Sequence, residues 1–155
     1  MFLPSDIIEL IVKYTNEEAN RNIQNSSYLS QEWSDIGQEE LYAYIGLIFA
    51  GAHRSNDVDL RDLWSETRGA AIFRATMGRQ RFELITRFLR FDEKQSRDER
   101  KRNDKLAAIR TVWNTFLQRC HNSYIPGYSV TVDEQIIPFR WRAPFKVYMR
   151  SKPDR

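Results

Sequence analysis

The chain has 155 residues, with 24 Lys and Arg against 21 Asp and Glu, a formal net charge of +3 and 41% hydrophobic residues. That length suits one ordinary domain or two small ones, and the 13% aromatic content excludes a chain that is disordered throughout. The single cysteine, Cys120, excludes an internal disulfide and a thiolate zinc cluster, and it is typical of a reducing compartment such as the cytosol or the nucleus.

The charges are distributed unevenly along the chain. Residues 1–77 hold six basic and twelve acidic side chains, a net charge of −6, whereas residues 78–155 hold eighteen and nine, a net charge of +9. A basic half favours a polyanionic partner, although a solvated basic surface explains the charge alone equally well. The longest uncharged apolar run, residues 41–52, is well short of the roughly 20 residues that span a membrane, so no membrane partner is expected.

Apolar residues spaced by three and four positions predict four long helices, over residues 6–24, 38–52, 79–91 and 106–124. Ser5 is predicted to cap the first of them. The second is apolar over most of its circumference, which predicts burial on several sides. A shorter helix is predicted over residues 72–76, and Trp64 is predicted to anchor the core.

The segment between the third and fourth long helices is strongly charged. Eleven of the fourteen residues from 92 to 105 are charged, and none is large and apolar. This composition predicts an exposed and mobile connector.

After Pro126 and Gly127 the spacing of apolar residues changes from helical to alternating. Residues 130–133 predict a strand with Asp133 on its polar face, and residues 145–150 predict a second strand that completes a hairpin. An isolated hairpin has unpaired edges, which indicates an unfinished sheet. The predicted fold is therefore mainly α, with a helical bundle followed by a β-hairpin of an unfinished sheet.

Conventional catalytic motifs for nucleotides, zinc or a serine nucleophile are absent from the sequence. Asp133 and Glu134, beside the basic residues of the hairpin, are placed as carboxylates that could hold a hard cation against phosphate. Two-metal chemistry requires several converging carboxylates, and only Asp154 remains further along. From spacing alone, a strand-end acid in a turn is the favoured interpretation.

Several segments resemble piggyBac-type transposases, in the order in which that family has them. The start of the family's catalytic core is resembled by residues 131–140, 144–149 and 152–153. The region ahead of that core is resembled by residues 40–51, 63–65, 77–83, 89–91 and 104–127. Trp141 and Arg150 depart from a glycine and a proline that are usual in the family. The matches cover nearly the whole chain.

The resemblance implies a cut-and-paste DNA transposase with an RNase H-like core, in which three aspartates bind divalent metal and Mg²⁺ is the cofactor. Asp133 matches the first of these catalytic, metal-binding aspartates, and the other two are absent from this chain. By the same resemblance, residues 1–126 are the helical dimerisation and DNA-binding region. The resemblance likewise implies that residues 127–155 are the first β-hairpin of an incomplete, truncated RNase H-like α/β core.

The resemblance implies DNA as the partner. It also allows a homodimer and implies a nuclear location. The basic residues expected near the DNA backbone are Arg140, Arg142, Lys146 and Lys152. With one aspartate of three, this chain is expected to be catalytically inactive and to hold no metal ion stably. The alternatives are a domesticated helical module that binds DNA or protein without chemistry, and a gene fragment with no selected function.

Overall fold

The computed structural model describes residues 3–24, 32–52 and 59–133. Seven helices lie wholly within those residues: α1 Ser5–Ile23, α2 Gln38–Ala52, α3 Leu60–Leu63, α4 Ala71–Thr76, α5 Arg79–Phe88, α6 Arg97–Arg100 and α7 Arg110–Ser123. This part of the chain contains no β-strand, so the prediction of a mainly α fold is confirmed for it. None of its helices combines the length and the apolar character needed to cross a bilayer.

Helix α1 begins one residue earlier than predicted, and Ser5 is its first helical residue rather than its cap. The cap is Pro4, whose backbone is extended and whose carbonyl accepts hydrogen bonds from the N–H groups of Ile7 and Ile8. Proline suits this end of a helix because the N–H that it lacks would have no intrahelical partner. The prediction that Ser5 caps α1 is therefore wrong.

The core lies where α1 packs against both α2 and α5. Its largest fully buried apolar side chains come from α1, α2, α4 and α5, namely Ile8, Ile11, Leu41, Phe73, Ile85 and Phe88. Fully burying one such side chain stabilises a fold by about 1.5–3 kcal/mol. The apolar residues whose spacing predicted these helices therefore also identify the helix faces that form the core.

Trp64 connects the short helices to this core, as predicted. Its indole N–H donates to the carbonyl of Met77 at 2.8 Å, and its ring centroid lies 5.1 Å from that of Phe73 and 5.0 Å from that of Phe82. Pairs of aromatic rings at such distances add about 0.5–1.5 kcal/mol beyond the area they bury. Gly69 packs against the backbone of the same region, and a Cβ there would lie 2.6 Å from the carbonyl oxygen of Ser65.

Helix α2 is less enclosed than its composition predicts. Leu41, Tyr44 and Leu47 are buried, but Ile48 is 43% exposed and Phe49 is 71% exposed. Burial on one face was predictable from the helical period, whereas the number of neighbours around a helix depends on elements far away in the sequence. The prediction of burial on several sides is therefore wrong in this structure.

Two helix ends differ from the prediction because side chains compete for backbone groups. Helix α5 ends at Phe88, and just beyond it the N–H of Arg90 donates to the hydroxyl of Thr15 at 3.1 Å. Helix α7 begins at Arg110, since the carboxylate of Asp104 accepts the N–H of Leu106 at 2.9 Å and holds the preceding residues in separate turns.

Residues 124–133 form neither helix nor strand. The predicted strand over residues 130–133 is therefore not formed there, and its predicted partner, residues 145–150, lies outside the described residues. A strand needs a partner to satisfy its backbone groups. The hairpin, and with it the boundary between residues 1–126 and 127–155, stays a prediction.

Candidate nucleic-acid interface

Arg81 on α5 is bound inside the protein rather than offered to a partner. Its guanidinium forms two hydrogen bonds of 2.7 and 2.8 Å to the carboxylate of Glu40 and a third of 2.8 Å to the carbonyl of Ser34. It also lies 4.7 Å from the ring centroid of Trp33. A bidentate, stacked arginine is held firmly in place, so Arg81 is not available to a phosphate.

Glu18 is a buried carboxylate on α1 that binds the residues following α5. Its side chain is 3% exposed, and Oε1 accepts from Arg90 at 3.0 Å and from Lys94 at 2.6 Å. Burial tends to raise the pKa of this carboxyl, but the hydrogen bond from Lys94 and the charges of Arg90 and Lys94 outweigh burial and hold the pKa below its usual value. The cluster therefore joins two elements far apart in sequence.

Asp92 is a second buried carboxylate, 7% exposed, at the start of the charged connector. Both of its oxygens accept from the guanidinium of Arg97, and Arg100 donates to Oδ2 at 2.7 Å and to the carbonyl of Ala107 at 2.8 Å. The hydrogen bonds that Arg97 donates to Asp92 raise the pKa of Arg97. The connector is thus anchored at Asp92 and includes helix α6. Nine of its fourteen residues are exposed, so the prediction of an exposed segment is confirmed for most of it, and buried Asp92 is the exception.

Asp104 and Arg110 form the link between the connector and α7. The guanidinium of Arg110 donates to both oxygens of Asp104, at 2.5 and 2.7 Å. That hydrogen-bonded pairing, together with the N–H of Leu106, lowers the pKa of Asp104 to about 2. The start of α7 is therefore fixed to the end of the connector.

We define the basic segment as residues 101–123. Its side chains Lys101, Arg102 and Lys105 are exposed and form no ion pair with any residue in the described part of the chain. After Asp104 the next acidic residue is Asp133, so the remainder of the segment has no carboxylate. Exposed cations without internal partners are the groups best placed to bind phosphates.

Helix α7 presents a polar, mostly uncharged face beside this basic turn. Its polar residues line an open cleft of about 420 Å³ together with the start of α1, the lining being Pro4, Asp6, Asn114, Thr115, Gln118, Arg119 and Asn122. The opposite face of α7 includes Trp113, Phe116 and Leu117, which are 37–42% exposed. Val112 packs against the core, so the helix is attached near its N-terminal end.

The site residues predicted from the sequence fall at the edge of the described structure or beyond it. Asp133 is the last described residue and is exposed on a segment that is neither helix nor strand. The predicted DNA contacts Arg140, Arg142, Lys146 and Lys152 lie outside the described residues. Their roles stay predictions.

Side chains that could bind a metal ion are not clustered among the residues that the structure describes. Those residues contain no group of three or more His, Cys, Asp or Glu side chains placed to hold a metal ion. One carboxylate, Asp133, is a poor ligand set for Mg²⁺, which is held in phosphoryl-transfer sites by converging carboxylates and substrate phosphates. The described donors therefore do not fit a divalent-metal centre.

The sequence and the fold of the chain are similar to those of known transposases. The family model described as Transposase IS4 matches residues 1–155, the whole chain. The chain belongs to the Transposase IS4 family. Within this family the resemblance to piggyBac-type transposases is confirmed by the relatives that the chain matches.

The relatives are longer than this chain. It is 28% identical over 159 aligned positions to human PiggyBac transposable element-derived protein 3, covering all of this chain and 24% of that protein, and equally identical to the human Chimeric ERCC6-PGBD3 protein, of which it covers 14%. The cryo-EM structure of a piggyBac transposase synaptic complex with hairpin DNA matches with a TM-score of 0.83 and 32% identity, over 99% of this chain and 32% of that one. This transposase-family chain thus spans about a quarter to a third of the length of the first relative and of the solved transposase.

Sequence reasoning missed the buried acids of this family member. Glu18 was predictable, since it continues the buried positions of α1 by helical spacing from Ile7 and Ile11 through Thr15. A carboxylate at a buried position of a helix indicates that a basic side chain from another element pairs with it. Asp92 has no such spacing to identify it, because the residues around it belong to a connector.

Proposed function

We propose that this chain provides the DNA-binding function of a piggyBac-type transposase and is catalytically inactive by itself. The supporting observation is its match, over 99% of its length and with 32% identity, to a transposase chain solved in a synaptic complex with hairpin DNA. The exposed cations of the basic segment supply the chemistry that a DNA backbone requires.

The finer features of the family are part of this proposal. Residues 1–126 would be the dimerisation and DNA-binding region, and residues 127–155 the first hairpin of an RNase H-like core. Asp133 would be a metal-binding aspartate, with Mg²⁺ as the metal where the other two aspartates are present. A homodimer and a nuclear location follow from DNA transposition as the activity.

Catalytic inactivity has a direct test. We expect no nicking of supercoiled plasmid by the 155-residue chain with Mg²⁺ or Mn²⁺, because one aspartate cannot position two metal ions. Agarose gel analysis of the plasmid measures this, with Asp133→Ala as the comparison. Metal-dependent nicking by the chain that disappears in the variant would contradict the proposal.

DNA binding is tested by its salt dependence. Counterion release lowers log affinity by about 0.9 per phosphate contact for each unit of log salt. The double variant Lys101→Ala/Lys105→Ala should therefore reduce the slope by about 2 in fluorescence anisotropy titrations of a duplex. The matched control is Lys13→Ala/Arg61→Ala, which removes two exposed cations from the acidic half of the chain and should leave the slope unchanged.

A salt-independent affinity for duplex DNA would refute the proposed function. Equal effects of the two double variants would refute the role of the basic segment. The alternative function is a domesticated helical module that binds DNA or protein without chemistry, and the relative described as a transposable element-derived protein favours it. A module that binds DNA would show the same salt-dependent binding. This alternative would gain support if longer chains that contain this segment failed to transpose DNA.

A further inference from the structure

Helix α7 differs in its charges from the other long helices of the described structure. Helices α1, α2 and α5 each contain Asp or Glu, whereas the fourteen residues of α7 contain Arg110 and Arg119 and no acid. A helix face that is merely solvated typically mixes acids and bases in pairs four residues apart. The exposed polar positions of α7 are instead amides, hydroxyls, one guanidinium and the imidazole of His121.

The amides are regularly placed. Asn114, Gln118 and Asn122 follow one another at intervals of four residues on one face, and all three are exposed. No other described residue hydrogen-bonds to their side chains, so their donors and acceptors are available. Eight residues of α-helix span about 12 Å, a length that corresponds to between three and four base-pair steps of about 3.4 Å.

These residue types match the edges of bases better than they match phosphates. Asn and Gln amides form paired hydrogen bonds with adenine, and Arg does so with guanine, in a major groove wide enough for a helix. Asp6 in the wall of the same cleft disfavours a phosphate there, because it would repel the phosphate charge, and it can accept from a base amino group.

We infer that the face of α7 formed by Asn114, Gln118 and Asn122 reads base edges of duplex DNA, with Arg119 beside it. This inference rests on the proposed DNA-binding function and adds to it the residues that distinguish one sequence from another. Lys101, Arg102 and Lys105, in the turn that precedes α7, contact the backbone and contribute affinity without sequence preference.

The experiment uses the full 155-residue chain and a library of 20-base-pair random duplexes. Duplexes enriched by the chain are sequenced, and the affinity for one enriched duplex is compared with that for the random pool at two salt concentrations. The test variant is Asn114→Ala/Gln118→Ala/Asn122→Ala. It leaves the net charge unchanged, and alanine favours a helix more than the residues it replaces, so α7 should stay folded, as circular dichroism will verify.

The matched control replaces three exposed amides outside the basic segment, Gln24→Ala/Gln80→Ala/Gln95→Ala. We expect the wild-type chain and the control to bind the enriched duplex at least about tenfold more tightly than the pool. The α7 variant should lose that ratio while keeping its affinity for the pool and its salt slope, since the phosphate contacts are intact.

Each other result overturns the inference in a recognisable way. No enrichment by the wild-type chain, with salt-dependent binding to the pool retained, removes the base-reading role and leaves the proposed function standing. Loss of all salt-dependent binding by the wild-type chain refutes the proposed function itself. An α7 variant that keeps the ratio excludes this face, and one that changes the oligomeric state in light scattering assigns the face to a protein contact.

Discussion

Replacing Glu18 by Gln removes the negative charge through which α1 holds the residues after α5. Breaking a buried ion pair by removing one partner typically costs about 3–5 kcal/mol. In this cluster the carboxylate is 3% exposed, but Arg90 is 27% and Lys94 is 48% exposed, and Arg21, 3.8 Å from the same carboxylate, is 35% exposed. Water can therefore solvate all three cations once the carboxylate is neutral, and we expect a loss of about 2 kcal/mol in the free energy of unfolding.

Urea denaturation followed by circular dichroism at pH 7 measures this loss. The matched control is Glu17→Gln, the adjacent acid on α1, which forms no ion pair with the rest of the described chain. We expect the control to change the free energy of unfolding by less than about 0.5 kcal/mol. For a chain of this size, 2 kcal/mol corresponds to a decrease of about 4–8 °C in melting temperature.

The effect should also depend on pH. The pKa of Glu18 in the folded protein lies below its ordinary value of 4.5, so the stabilisation is fully present above that value and is lost as the pH falls through the folded pKa. The difference between wild type and Glu18→Gln should therefore shrink on acidification below pH 4.5. Equal stability of the Glu18 and Glu17 variants at pH 7 would refute the reasoning, as would a difference that does not change with acidification.

Two further predictions concern the packing of the fold and its division. Gly69→Ala should destabilise the fold by about 1–3 kcal/mol, because the added Cβ would collide with backbone atoms that cannot move without disturbing the fold. Gly46→Ala lies in mid-helix with open space around it and should stabilise the fold by about 0.5–1 kcal/mol. Thermal melting of both variants checks that the two effects have opposite signs. A chain ending at Ile125 should keep a cooperative melting transition, because the buried core comes from residues before that point, and loss of the transition would show that the domain boundary is misplaced.

The helical period predicted most of the fold because the buried faces are local patterns. In α1, the spacing of Ile7, Ile8 and Ile11 identifies both the helix and the side that α2 and α5 cover. Helix ends were predicted less well, since each depends on a side chain that competes for one backbone group. Thr15 accepts the N–H of Arg90 across 75 residues of sequence, a contact that no local pattern contains.

The burial of Asp92 in the connector was missed for the same physical reason. A run of charged residues predicts exposure when each charge is solvated separately, but Asp92 is buried because Arg97 and Arg100 neutralise it and satisfy its oxygens. The number of charges in a segment can be counted from its composition, whereas the charges that form ion pairs are determined by the fold. The same distinction separates Arg81, bound to Glu40, from the exposed cations of the basic segment.

Pairing also limits what the +9 charge of residues 78–155 can contribute to DNA binding. Among the described residues 78–133, twelve side chains are basic and seven of them form ion pairs within the protein. Five cations remain for phosphates, which corresponds to a salt slope no steeper than about −4.5. A steeper slope in the full chain would require basic residues outside 78–133. If the Lys13→Ala/Arg61→Ala variant keeps that steeper slope, the additional contacts are assigned to Arg140, Arg142, Lys146 and Lys152.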